Sequence, residues 1–190
     1  MKKGIWVVGL MLFPVLLLIL GCAGEPTNEL AAAKAALENA RAAEADKYAA
    51  DLFTQAENSI IDAENLIAQK KYGEAKKLLK DAKSVADQAV SQAQIKKEEA
   101  KTDVEDFFAE ITKVRGELKD TQSKAKEWGI PKSKRELTDE ISRWDEELKQ
   151  AQAEYDAGNY YSAKELASEI YQEVKSKNDE LIEMILAKQK

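Results

Sequence analysis

The chain has no histidine and only one cysteine, with three prolines and eight glycines among its 190 residues. The missing histidine removes the commonest general base near neutral pH and the commonest transition-metal ligand. A lone cysteine cannot close an intrachain disulfide or assemble a zinc–thiolate set. The glycines are scattered and form no glycine-rich loop of the kind that cradles phosphate. The prolines stand at 14, 26 and 131, so nothing between 27 and 130 carries the ring that breaks a helix. Basic residues are outnumbered as well. The formal net charge is −6, and the first 21 residues hold two lysines and no acid, so without them it falls to −8. Such a balance argues against nucleic acid, or anionic lipid, bound through a broad basic surface.

What is present begins with the stretch LLLILGCAG at residues 16–24. Met1-Lys2-Lys3 precedes an apolar run over residues 5–20, which is short of the roughly 20 residues a membrane-spanning helix needs. A positive start, a short apolar stretch and small residues at its end describe a secretory signal peptide. The ending Ile19-Leu20-Gly21-Cys22 resembles the lipobox of bacterial lipoproteins, with Leu20 where a smaller residue is usual. That resemblance implies lipid on the Cys22 thiol and cleavage between Gly21 and Cys22. It also implies an outer-membrane destination facing the periplasm where the host has two membranes, because Ala23 rather than Asp follows the cysteine. A signal anchor retained with Cys22 as a buried thiol is the competing reading, and the charge, length and Gly-Cys ending disfavour it. The covalent lipid is the only prosthetic group expected. Multiple acyl chains would hold a membrane stably where one alone is marginal.

Beyond the cysteine the chain is rich in Ala, Glu, Lys, Gln and Leu, a composition that predicts long helices with a thin, close-packed core. Five segments show the 3-4 apolar spacing of one helix face. They run Leu30, Ala33, Leu37, Ala40; then Phe53, Ala56, Ile60, Ala63, Ile67; then from Ala75 to Trp128; then Leu137, Ile141, Trp144, Leu148, Ala151, Tyr155; and finally from Tyr160 to Met184. The third segment has a polar interval, QIKKEEAKTD at 94–103, in which only Ile95 and Ala100 are apolar. The stripe slips by one residue near Ala100, a stutter that rotates the apolar face. No glycine or proline interrupts this interval, so one helix of roughly 55 residues is predicted, about 80 Å long.

Trp128-Gly129-Ile130-Pro131 reads as a glycine cap and a proline stop. Ser133 to Glu136 has capping-box spacing, and Asp156-Ala157-Gly158-Asn159 reads as a turn with Asn159 as N-cap. A break near Ala49-Ala50-Asp51 has weaker signals, leaving open whether the first two stripes form one helix. The expected fold is all-α, two antiparallel three-helix bundles sharing the long central helix with coiled-coil-like packing. The expected organisation is a signal peptide at 1–21, a tether at 22–28, a first bundle at 29–95, a polar waist at 96–103 and a second bundle at 104–190.

A shift of 88 residues aligns Phe53 with Ile141, Ile60 with Leu148, Ala63 with Ala151, Tyr72 with Tyr160 and Ala75 with Ala163, a degenerate repeat of helical hairpins. In the first of these, residues 29–82 resemble the bacterial lipoprotein family of domain of unknown function 4398. The family pattern has Ala-rich helices, a Tyr-Ala-Pro break, and an Ala-Gly-Asp-Tyr turn before a helix with alanine three residues on. The resemblance covers roughly residues 28–95, and the second half resembles a divergent copy. Here Ala50 stands where the pattern has proline, and Lys70-Lys71 where it has Gly-Asp. The resemblance implies an envelope protein and carries no known chemistry.

Acidic groups such as Asp103, Glu105, Asp106 and Glu110, or Asp145, Glu146 and Glu147, read as solvated surface charge balanced by neighbouring Lys and Arg. With no convergent polar set, no catalytic or metal-binding residue is expected. The aromatics are the better lead. Trp144, Tyr155 and Tyr160 fall on the core stripe; Tyr161 and Tyr171 sit one step off it and Trp128 at a helix end, so these three are the candidates for partner binding. The function expected is a lipid-anchored envelope lipoprotein serving as a non-enzymatic helical spacer or adaptor for periplasmic or cell-wall partners. The alternatives are a holdase-like periplasmic chaperone, or a small-ligand module in the second bundle. A protein partner in the envelope is expected and a homo-oligomer is left open.

Overall fold

A computed structural model describes residues 24–130 and 135–189. Six helices follow in order: α1 (Thr27–Ala42), α2 (Ala45–Tyr48), α3 (Ala50–Ala68), α4 (Tyr72–Glu127), α5 (Arg135–Asp156) and α6 (Tyr160–Lys188). No strand occurs among the described residues. The fold is all-α, and α4 is its spine: its 56 residues extend about 84 Å at 1.5 Å per residue. Helices α1 and α3 pack on its first half and α6 on its second, with α5 laid chiefly against α6.

Cross-helix contacts give the directions. Lys76 pairs with Glu29 at 2.7 Å and Lys97 with Glu44, so α1 runs parallel to α4. Lys34 meets Glu64 at 2.6 Å and Arg41 meets Glu57 at 3.6 Å, so α3 runs back against α1. In the second half Arg115 pairs with Asp145 and the Tyr155 hydroxyl donates to Glu105, which makes α5 antiparallel to α4. Lys164 meets Asp103 at 2.5 Å, and Lys188 donates to the Trp128 carbonyl at 2.8 Å, so α6 is parallel to α4. Short connections force sequence neighbours to be antiparallel, and the first and third helices of each bundle then point the same way. Pro26 therefore lies at one end of a rod, with Trp128 and Lys188 at the other.

Helix α1 begins inside the segment that the sequence predicts as tether. Pro26 is fully buried, its carbonyl accepts from the Leu30 N–H at 2.9 Å, and α1 already includes Thr27 and Asn28. A proline preset near helical φ starts a helix readily, because the N–H it lacks would have been unpaired there.

The first two stripes belong to separate helices, and the break is double. Glu44 is left-handed, with φ 59°, and Ala49 is irregular, with φ −140° and ψ 43°. Between them α2 makes a single turn. Neither position has the glycine or proline that marks such a corner.

The turn after α3 and the turn after α5 share one hydrogen-bond pattern. Lys70 N–H donates to the Ile67 carbonyl and Lys71 N–H to Leu66, at 2.8 and 2.9 Å; Gly158 donates to Tyr155 and Asn159 to Glu154, both at 2.9 Å. Both are Schellman closures with a left-handed residue, Lys70 at φ 59° and Gly158 at φ 79°. The two turns are 88 residues apart, matching the shift read in the sequence. A side chain at positive φ costs on the order of 1 kcal/mol, which glycine avoids. Lys70→Gly is therefore expected to raise stability by about 0.5–1 kcal/mol, and Gly158→Ala to lower it by about 1 kcal/mol, read as opposite shifts of the urea midpoint. The capping box at 133–136 and the proline stop at 131 rest on residues outside those described.

Two buried clusters fill the rod. The first holds fifteen residues, eleven of them alanine, with Leu37, Phe53, Ile60 and Leu79 as the larger members. The second contains only two alanines and is built from Ile111, Leu118, Leu137, Trp144, Ile170, Val174, Leu181 and similar residues. The thin core predicted for the whole chain is thus a property of the first bundle alone. Between the clusters, Ala100, Val104, Ala151 and Ala163 are buried but belong to neither. Among the described residues no helix is long and apolar enough to cross a membrane.

Candidate functional site at the joint of the bundles

Gly21 and Cys22 lie outside the described residues. The three aromatics singled out for partner binding do not form one surface. Trp128 caps α4 at the far end of the rod and is 44% exposed. Its carbonyl and that of Gly129 are satisfied by the Lys188 ammonium, at 2.8 and 2.9 Å, as a cation near a helix C-terminus should do. Tyr171 is half-buried against the second core, its ring 5.8 Å from that of Phe107 with Lys175 over its face. Tyr161 is 43% exposed and sits about 40 Å from Trp128 along the rod. Of the residues assigned to the core, Trp144 is 2% exposed, whereas Tyr155 and Tyr160 are only half-buried and pair with each other at 5.3 Å beside the joint.

Tyr161 has a partner that sequence reasoning missed. Its ring meets Tyr48 edge-on, with centroids 6.0 Å apart at 80°, and its backbone N–H donates to the Tyr48 hydroxyl at 2.8 Å. Tyr161 is the second residue of α6, where an N-cap side chain would ordinarily take the free N–H. Asn159, expected in that role, makes no capping bond; its amide donates to Glu154 at 2.9 Å instead. A phenol from the other bundle thus caps α6. The available signal for Tyr48 was its place as the tyrosine of the Tyr-Ala-Pro pattern.

The corner residue Glu44 anchors α2 to the waist of α4. It accepts from Lys97 and, at 2.9 Å, from Lys47. Those two donors, Lys97 first, hold its carboxyl below the usual carboxylate value. A lowered folded-state value means the contact's stabilisation is complete above the unfolded value of about 4.3 and is lost as pH falls through the folded one. The difference in melting temperature between the native protein and Glu44→Gln is therefore expected to be widest above about pH 5 and to shrink toward zero below about pH 3. Glu173 in the second bundle, lowered first by Arg143 and then by the Trp144 indole, adds acid sensitivity of the same sign.

The waist is less solvated than its polar sequence implies. Ile95 is 61% exposed as expected, but Ala100 is buried and Lys97, Lys101 and Asp103 are half-buried. An open groove of about 610 Å³ lies here between α2, α4 and α6. Tyr48, Tyr161 and Ala100 supply its apolar wall, Lys47, Lys96 and Lys164 its cations, and Glu99, Asp103, Glu165 and Glu169 its acids. Such a lining can hold polar groups of either sign. Tyr155 donates to Glu105, which pushes its phenol up to about 12. The acidic runs are engaged as surface pairs: Asp103 with Lys164, Glu110 with Lys113, Asp145 with Arg115, Glu146 with Lys149 and Glu147 with Arg143. Among the described residues no cluster of His, Cys, Asp or Glu is placed to hold a metal ion.

Fold and site together define a helical rod of two bundles on one spine, jointed at mid-length. Residues 28–105 match the family described as "Domain of unknown function (DUF4398)". The matched segment takes in the first bundle and the waist, with Tyr48, Glu44, Lys97 and Asp103 inside it and Tyr161 and Lys164 beyond it. Neither the comparison with curated proteins nor that with solved structures returned a match.

Proposed function

We propose that this chain is a lipid-anchored envelope lipoprotein, held through Cys22 in the outer membrane facing the periplasm, and that it works without catalysis as a spacer or adaptor. The observation that supports this most is the polarity of the rod. Cys22 stands four residues before Pro26; Pro26 lies at the end where α1 and α4 begin, while the C-terminal ends of α4 and α6, with exposed Trp128, lie about 80 Å away along the spine. A chain anchored at the first end carries the second far out from the bilayer. Helices that bury small residues and tie their flanks with ion pairs suit a part that transmits position.

Two measurements in the native host test this. Metabolic labelling with an alkyne fatty acid should mark the native protein and not Cys22→Ser; label that persists in the variant, or is missing from both, removes the anchor from the reading. A photoreactive residue in place of Trp128 should capture one envelope protein reproducibly. A broad set of unfolded clients would instead favour a holdase.

A further inference from the structure

We propose that the Tyr48–Tyr161 contact is a latch across a joint, and that breaking it lets the two bundles bend at the waist of α4 while each stays folded. Four observations converge on this.

First, burial is thinnest where the latch sits. The first buried cluster ends at Ala93 and the second begins at Ile111. About 27 Å of α4 separates them, and over that length the buried residues are Ala100 and Val104 on α4 with Ala151 and Ala163 opposite, while Phe107 and Phe108 at its far end are only half-buried. Small side chains bury little apolar surface, so the joint draws little of the stabilisation that holds each bundle together. One backbone helix passes through. Long helices bend gently when nothing braces them.

Second, the latch is the direct tie between the bundles. Among the described residues, the Tyr161 N–H to Tyr48 hydroxyl bond is the hydrogen bond that passes from α1–α3 to α5–α6 without going through α4. The ion pairs beside it have another geometry. Lys97 with Glu44 fixes α2 to α4, and Lys164 with Asp103 fixes α6 to α4, so each holds one bundle to the spine.

Third, the chain departs from regular structure to present Tyr48. Glu44 takes a left-handed conformation that side chains other than glycine's disfavour, and Ala49 leaves the helix again after one turn. The result is a single-turn element projecting from the corner of the first bundle to the first turn of α6. Such strain persists where surrounding contacts over-determine it, and the two lysines on Glu44 supply those contacts.

Fourth, the latch has something to open. The 610 Å³ groove runs beneath the tyrosine pair and is walled by both rings. Bending at the waist moves α2 and α6 apart and changes the width of that groove, so any ligand seated there would bias the latch.

The test uses the full chain with two bio-orthogonal spin labels at Asp62 on α3 and Ser142 on α5. Both side chains are exposed, and both lie clear of the joint on opposite sides of it, on the order of 50 Å apart along the rod. Pulsed dipolar spectroscopy should give one narrow distance distribution for the native sequence. Tyr48→Ala should at least double its width and add shorter distances. Tyr48→Phe, which keeps the ring edge and loses the hydroxyl acceptor, should fall between. Tyr161→Ala, which removes the ring from the other side, should broaden it as well. Amide exchange in the two cores, read at Leu79 and Ile170, should stay as slow as in the native protein. An unchanged width in Tyr48→Ala with both cores protected would overturn the latch. So would loss of protection in both cores in all three variants, because the pair would then hold the fold and not the joint.

Discussion

Trp144→Ala is expected to lower the stability of the second bundle by about 4 kcal/mol, the middle of the range for removing a large buried aromatic. Among the described residues Trp144 is the largest fully buried side chain, and it belongs with Ile170, Val174 and Leu137 to the second core. Its loss removes the transfer free energy of the indole and leaves a cavity that stiff helices cannot collapse around. A polar loss adds to this. The indole N–H donates to Glu173 at 2.7 Å, while Arg143 both pairs with that carboxylate and lies over the indole face. Trp144→Phe separates the two terms: it keeps most of the apolar surface and deletes the donor, so a cost of about 1–2 kcal/mol is expected. Urea titration gives the totals, and amide exchange gives their location. Protection should collapse over 111–185 and persist over 33–93, where the first cluster has its own core. Equal loss in both segments would mean that α4 carries the two bundles as one cooperative unit.

The second large effect lies in the other core. Ala86→Leu should cost about 3 kcal/mol, although leucine is the more hydrophobic residue and nearly as good a helix former. Ala86 is 0% exposed and belongs to a face, Ala82, Ala86, Ala89 and Ala93, that lets α1 and α3 approach the spine closely. An isobutyl group there has no vacant volume to enter, so it pushes a helix away and loosens neighbouring alanine contacts. The position 88 residues later is Val174, also 0% exposed, in a core of larger residues. Val174→Ala should therefore destabilise through a cavity by about 2 kcal/mol, the opposite failure at the equivalent place. Comparable small costs for both substitutions would show that the two bundles are packed alike.

Those two expectations mark what the sequence could and could not say. Periodicity found the alanine stripe of α4 and the larger residues of α5 and α6, because a 3.6-residue repeat is a local property that any helix face imposes on its own segment. It also found α4 as one helix, since nothing from Tyr72 to Glu127 forces a break and the stripe persists on either side of the polar interval. The turn at 158 was readable for the same reason, a helix end being decided by the residues around it, whereas at 70 the sequence has Lys70-Lys71 and no local turn signal. Cys22 and the segment before it depend on the sequence alone.

The joint was settled only by tertiary structure. Nothing near Glu44 signals a left-handed corner; that conformation rests on Lys97, 53 residues away, and no local rule senses such a contact. Asn159 has the chemistry of an N-cap, yet the α6 N–H goes to Tyr48, because the bundle geometry brings a phenol within 2.8 Å of it. Tyr171 and Tyr161 stand ten residues apart on one helix with equal claims to exposure, and Phe107 covers one while the other stays at the surface. Helices and their faces follow from interactions within a few residues, so the sequence determined them. Which ends meet depends on where α4 carries them about 84 Å along its length, and only the assembled chain decides that.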